Sequence, residues 1–224
     1  GDWLLLQRNF DLEAEPTDEA IQLMIDGLNL RQKAVDDAKA AVTHSDVEVY
    51  NYTEVNQVQK SLRGKKSLAM NVLPEVDVDF VSYSAYDSTN RVLESPDEMT
   101  RALHEALDFV EERMKPKAIS GKRVWIGEYG LPLETTGTPE RQGRLCSAIA
   151  RAGLEWGTLF ILYWEMYNNE VVVGRHRGFW MIDNHGEKQP IYYIHEDYYK
   201  RARDYLRKEA EAGRPRPDHL EFCT

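Results

Sequence analysis

Glu128 lies in the stretch Lys122-Arg123-Val124-Trp125-Ile126-Gly127-Glu128-Tyr129-Gly130-Leu131-Pro132. Val124, Trp125 and Ile126 form a short apolar run of high strand preference that ends on a carboxylate. Gly127 and Gly130 leave room beside it, and Leu131-Pro132 stops the strand. An α/β barrel places its catalytic groups at such strand ends. The plain alternative is a charged strand end facing water. Three other apolar runs also finish on polar or aromatic residues. The first ends on Glu54 and Asn56, the second on Tyr83, Tyr86 and Asp87. The last ends on Trp164, Glu165, Tyr167, Asn168, Asn169 and Glu170. Gathered on one face, such a set suits a sugar: rings stack on the pyranose, and amides and carboxylates bind hydroxyls. Each residue also has an ordinary reading. Trp164 can be core, Tyr83 and Tyr86 strand formers, Asp87 a turn cap. Glu54 can be a solvated end, and Asn168-Asn169-Glu170 a turn. Their recurrence at successive strand ends favours the shared reading.

The elements that must position these residues alternate. Thr17 caps a helix with Asp18 and Glu19 in its first turn, and Ile21, Met24, Ile25 and Leu28 fall at helical spacing. Its pattern runs on to Val42 despite Gly27. Strands are predicted over 47–52, 76–87, 124–128 and 158–164. A short helical segment over 57–73, interrupted at Gly64, follows the first strand. Ser95-Pro96-Asp97-Glu98 is a capping box that opens a helix with Met99, Ala102, Leu103, Ala106, Leu107 and Val110 on one stripe. Thr138-Pro139 opens another, closed by Gly157. Residues 171–190 read as an insertion, with a turn at Asp183-Asn184-His185-Gly186, and a last helix is predicted over 196–212. This alternation implies a parallel sheet with helical crossovers. The run 158–164 is apolar throughout, as in strands covered on both sides. Four such strands make half of an eightfold barrel; a small doubly wound sheet is the alternative. Residues 1–212 read as one domain and 213–224 as a loose tail.

Composition narrows the function. A net charge of -10 argues against nucleic acid or an anionic membrane as the main partner. No apolar run is long enough to span a bilayer. No glycine-rich phosphate loop follows a strand. Cys146 and Cys223 lack zinc or redox spacing; Cys146 reads as a small buried hydrophobe, and neither fixes the compartment.

The chain resembles the C-terminal half of retaining glycoside hydrolases of the large (β/α)₈-barrel clan that includes cellulases and mannanases. Gly127-Glu128-Tyr129-Gly130, Tyr163-Trp164 and Ser82-Tyr83-Ser84-Ala85-Tyr86-Asp87 carry the resemblance, which covers about residues 47–183. It implies that Glu128 is the nucleophile, Trp164 a sugar platform, and Tyr83 or Tyr86 the nucleophile's partner. It implies a carbohydrate substrate, double displacement, and no metal or organic cofactor. Two carboxyls roughly 5 to 5.5 Å apart do the work in such enzymes. One departure stands out: the clan's acid/base belongs to an Asn-Glu pair after the fourth strand, and Asn169-Glu170 follows the last one. Gly1-Asp2-Trp3 looks like the continuation of a strand-four segment, so the acid/base is expected just upstream of Gly1 and the barrel truncated; Glu54 is the in-chain substitute. Two other readings stay open: a carbohydrate-binding barrel without catalysis, and a half-barrel scaffold that pairs with another chain.

Overall fold

The computed structural model describes residues 1–7, 11, 13–42, 46–167, 169–172 and 174–214. Four strands, β1 (Tyr52–Val55), β2 (Phe80–Ser84), β3 (Val124–Tyr129) and β4 (Ile161–Tyr163), form a sheet in that order, every neighbouring pair parallel. Helices α1 (Asp2–Leu5) and α2 (Asp18–Ala41) precede β1. The crossover to β2 holds α3 (Val58–Leu62) and two irregular helical turns, Leu68–Val72 and Leu73–Glu75. The short α4 (Tyr86–Thr89) and the long α5 (Pro96–Arg113) link β2 to β3. The link from β3 to β4 holds α6 (Leu133–Thr136) and α7 (Pro139–Trp156), and α8 (Pro190–Glu211) follows β4. A hairpin of β5 (Val171–Val172) and β6 (Arg175–His176) lies between β4 and α8. Among the described residues, no helix is long and apolar enough to cross a membrane.

Local chemistry explains the helix starts. The Thr17, Ser95 and Thr138 hydroxyls accept the backbone N–H groups of Ala20, Glu98 and Arg141 at 3.1, 3.3 and 3.2 Å. Pro96 and Pro139 occupy first-turn positions, where a missing N–H costs nothing. Gly157 ends α7 at φ 95, which a side chain would resist.

The core lies on one side of the sheet. Val55, Val81, Tyr83, Val124, Ile126 and Tyr129 pack there against Met99, Leu103, Leu107 and Val110 of α5 and Cys146 and Ile149 of α7. Each fully buried side chain of this size contributes about 2 kcal/mol. The alternate residues form the other face: Tyr52, Phe80, Trp125 and Phe160, whose rings meet edge-on or tilted at 4.9 to 5.8 Å. Tyr52, Phe160 and Leu162 are each about half exposed there, at 51%, 57% and 53%. A doubly wound sheet carries helices on both faces; among the described residues, only one face is covered.

Several boundaries differ from those the sequence predicts. The first strand is Tyr52–Val55, not 47–52, because β2 provides partners only from Phe80 onward. Among the described residues no strand pairs with Val47, Val49 or Tyr50, and they stay exposed. The second strand stops at Ser84, and Tyr86 and Asp87 belong to α4. The helix over 57–73 breaks where Gly64 takes φ 81. The apolar run 158–164 is not covered on both sides: only Ile161–Tyr163 pairs as a strand, and Leu159, Phe160 and Leu162 are exposed. The last helix starts at Pro190, six residues early. Asp2–Leu5 is helical, not a strand remnant. Cys146 is buried, and burial pushes its thiol up to about 12. Cys223 and most of the tail lie outside the described residues.

Asp79 anchors the start of β2. It is buried, and its carboxylate accepts from Lys117 Nζ at 2.6 Å, Asn51 N–H at 2.9 Å and Gln32 Nε2 at 3.1 Å. Burial opposes its ionisation, but these donors and the Lys117 charge outweigh burial and hold it below the usual carboxylate range. A depressed carboxyl stabilises the fold fully above its unfolded value, about 3.9. That stability is lost as pH falls through the lower folded value. Asp79→Ala is expected to cost about 3 kcal/mol at pH 7 in urea unfolding, and to flatten the wild type's stability loss below pH 4.

Candidate active site

A one-residue bulge in β3 builds the site. Tyr83 pairs with Ile126 and Ser84 with Glu128, so Gly127 has no partner on β2. On a regular strand without the extra residue, Glu128 would turn into the helix-covered core. With it, Glu128 joins the open face. Gly127 is needed for close approach: a Cβ there would lie 1.8 Å from Ser82 Oγ. At Gly130 a Cβ would lie 2.4 Å from the Trp164 carbonyl. The room these glycines make is thus filled by the neighbouring strands.

Glu54 of β1, Ser84 of β2 and Glu128 of β3 stand together on that face. Ser84 Oγ donates to Glu54 Oε1 at 3.0 Å, and Ser84 is the register partner of Glu128 on β3. The Tyr86 hydroxyl lies beside Glu128 in the same cavity. Burial and the nearby Glu54 charge hold the Glu128 carboxyl above its usual range, against these two hydroxyls. Burial, with Glu128 beside it, likewise pushes the Tyr86 phenol up. Glu54, Asn56, Ser84, Tyr86, Asp87 and Glu128 line a cavity of about 340 Å³, with Trp3 of α1 at its wall. Tyr86 and Glu128 also line a second cavity of about 310 Å³, shared with Glu170, Arg177 and Phe179. Both are of small-ligand size. A third cavity, about 300 Å³, lies between α7 and α8 on the covered side and has no carboxylate in its wall.

The structure separates residues the sequence grouped. Tyr83 does not reach Glu128. It is fully buried, and its hydroxyl lies between Asp87 Oδ1 and Ser88 Oγ. Glu165 is buried, and its Oε1 accepts the N–H groups of Asn169 and Glu170 at 3.0 and 3.2 Å, so it shapes the loop. Glu170 reaches the second cavity, 3.7 Å from Arg177. Trp164 is partly buried at the end of β4 and lines neither carboxylate cavity. Asn56 lines the first cavity, and its N–H donates to Asp2 Oδ2 at 3.0 Å. Asn168 lies outside the described residues. Sequence reasoning missed Ser84 and Trp3 as site residues. Ser82 and Ser84 do carry a signal, two small hydroxyls at strand spacing in an otherwise apolar run. Trp3 carries none, since it meets Glu54 across 51 positions of chain.

Asp87 lines the first cavity with its oxygens already engaged, Oδ2 by Gln59 N–H at 2.7 Å and Oδ1 by the Tyr83 hydroxyl. Burial pushes its carboxyl up to about 6, helped by the Asp2 charge and opposed by those two donors. A raised carboxyl contributes stability that is complete below the unfolded value and lost as pH rises through the folded one. Ionised Asp87 therefore costs the fold about 3 kcal/mol above pH 6. Asp87→Asn is expected to remove that decline between pH 4 and pH 7, read as melting temperature against pH.

Comparisons with protein-family models, curated proteins and solved structures find no match for this chain.

Proposed function

We propose that the chain carries the active site of a retaining glycosidase, and that its four strands form part of a (β/α)₈ barrel. The observation that supports this reading is the pair Glu54 and Glu128. They project from one sheet face into one cavity on either side of Ser84, which donates to Glu54 and pairs in register with Glu128. A barrel interior accounts for the uncovered aromatic face, since barrel strands fill their inner side with layered side chains. The sequence resemblance points the same way.

In this reading Glu128 is the nucleophile. Its carboxylate oxygen bonds to the anomeric carbon as the glycosidic C–O bond breaks, and the leaving oxygen takes a proton from Glu54. Water then attacks the anomeric carbon, returns a proton to Glu54, and displaces Glu128. The Tyr86 and Ser84 hydroxyls beside Glu128 favour its ionised form. Trp3 offers a ring to a sugar face.

Glu128→Gln keeps the side-chain shape without the nucleophile. On aryl glycosides and oligosaccharides, the rate is expected to fall at least about a thousandfold, or about 4 kcal/mol. Sugar affinity by calorimetry should change only a few-fold. A 2-fluoro glycoside should label Glu128, found by mass spectrometry. Retained activity in Glu128→Gln sinks the assignment. Binding without cleavage by the unmodified chain favours a carbohydrate-binding protein instead.

A further inference from the structure

We propose that the cavity between α7 and α8 binds a medium-chain aliphatic carboxylate, with the tail inside and the carboxylate against Arg151 at the rim. The cavity lies across the sheet from Glu54 and Glu128, so the proposal does not rest on the glycosidase reading.

The packing of the two helices makes the space. They touch near their starts, where a Cβ at Gly143 would lie 3.0 Å from Ile194 Cδ1 and 3.5 Å from Pro190 Cβ. Further along, between Ser147 and Leu154 of α7 and Ile191 and Arg201 of α8, about 300 Å³ is left open. At the roughly 30 Å³ that a water takes in the liquid, this holds about ten non-hydrogen atoms. Ala150, Leu154, Ile161, Ile191 and Ile194 give it aliphatic walls. The polar groups at its inner end are already engaged with each other. His195 Nδ1 lies 2.8 Å from the Ile191 carbonyl, which can only accept, so Nδ1 carries the proton. Nε2 then accepts from the Tyr129 hydroxyl at 2.9 Å. Burial holds the imidazole below its usual pKa, in the neutral form. An alkyl tail therefore enters without taking a hydrogen bond from Tyr129 or His195.

The rim is cationic. Arg151 and Arg201 line the cavity, and no Asp or Glu does. Arg201 is shared with Asp197, 3.1 Å away. The Arg151 guanidinium makes no ion pair among the described residues. Arg151 also borders the groove between α5 and α7, where Arg101 and Arg144 face Asp97 and Glu155. In a chain of net charge -10, this is a local excess of positive charge beside an aliphatic cavity. A neutral apolar molecule would use the walls alone. A carboxylate with an aliphatic tail uses the walls and the guanidinium, through a charge-assisted hydrogen bond.

The test is a titration of the chain, ¹³C-labelled at its isoleucine and leucine methyls, with octanoate, octan-1-ol and acetate. Octanoate is expected to shift the Ile161, Ile191 and Ile194 signals saturably, with a Kd on the order of 0.1 mM for a ligand of this size. Leu162, on the opposite face of the sheet, should not move. Octan-1-ol should bind the same place about tenfold more weakly, and acetate should leave the three isoleucines unmoved. Arg151 is exposed, so its replacement spares the fold. Arg151→Gln should weaken octanoate about tenfold and leave octan-1-ol unchanged. Arg151→Lys, which keeps the charge, should restore most of the loss. The proposal is overturned by any of four results: no saturable shift with octanoate, shifts confined to Leu162, equal affinity for octanoate and octan-1-ol, or unchanged octanoate affinity in Arg151→Gln.

Discussion

The extra residue at Gly127 is the constraint on which the site depends. Strand side chains alternate strictly, so a single inserted residue reverses the facing of everything after it. Trp125 and Glu128 are three apart and would oppose each other on a regular strand; here they share a face. Tyr129 falls on the covered side, with its hydroxyl 2.9 Å from His195 of α8. The bulge survives only because nothing projects from position 127, where Ser82 already occupies the space. A β-bulge beside a functional site is a recurrent way to re-aim one side chain.

The carboxylates along the sheet differ in their partners. Asp79 faces Lys117, and the pair fixes the approach to β2. Near the strand ends, Asp87 and Glu128 have hydroxyls beside them instead, and both carboxyls stay above the usual range. A cation partner keeps a carboxyl ionised over the whole working pH range. Hydroxyl partners leave the proton negotiable. Acid–base chemistry near neutral pH requires the second kind.

Much of the scaffold was legible because its signals are local. The capping residues Thr17, Ser95 and Thr138 sit where their hydroxyls meet the first helical N–H groups. The apolar runs gave the parallel sheet through their alternation with helices. Glu54, Asn56, Tyr86, Asp87 and Glu128 come together because they follow parallel strands. What failed depended on partners far along the chain. Residues 47–50 alternate like a strand, yet among the described residues no strand pairs with them. Tyr83 and Tyr86 look equivalent in sequence, but Tyr83 lies within β2 facing the core and Tyr86 begins a helix beyond it. Glu165 resembled a site residue because local pattern cannot show that loop N–H groups claim its oxygen.

The one-sided packing also bears on how such a chain changes over generations. The helix-covered face holds the fold through fully buried residues such as Leu103, Ile126 and Ile149, where substitutions cost several kcal/mol. The opposite face shares little of that burden, with Tyr52, Phe160 and Leu162 each about half in solvent. Drift there meets weak selection for stability. Chemistry and scaffold can therefore vary almost separately: residues aimed from the strand ends are open to replacement while the layer beneath stays intact. The exception is Gly127, where loss of the glycine would disturb both at once.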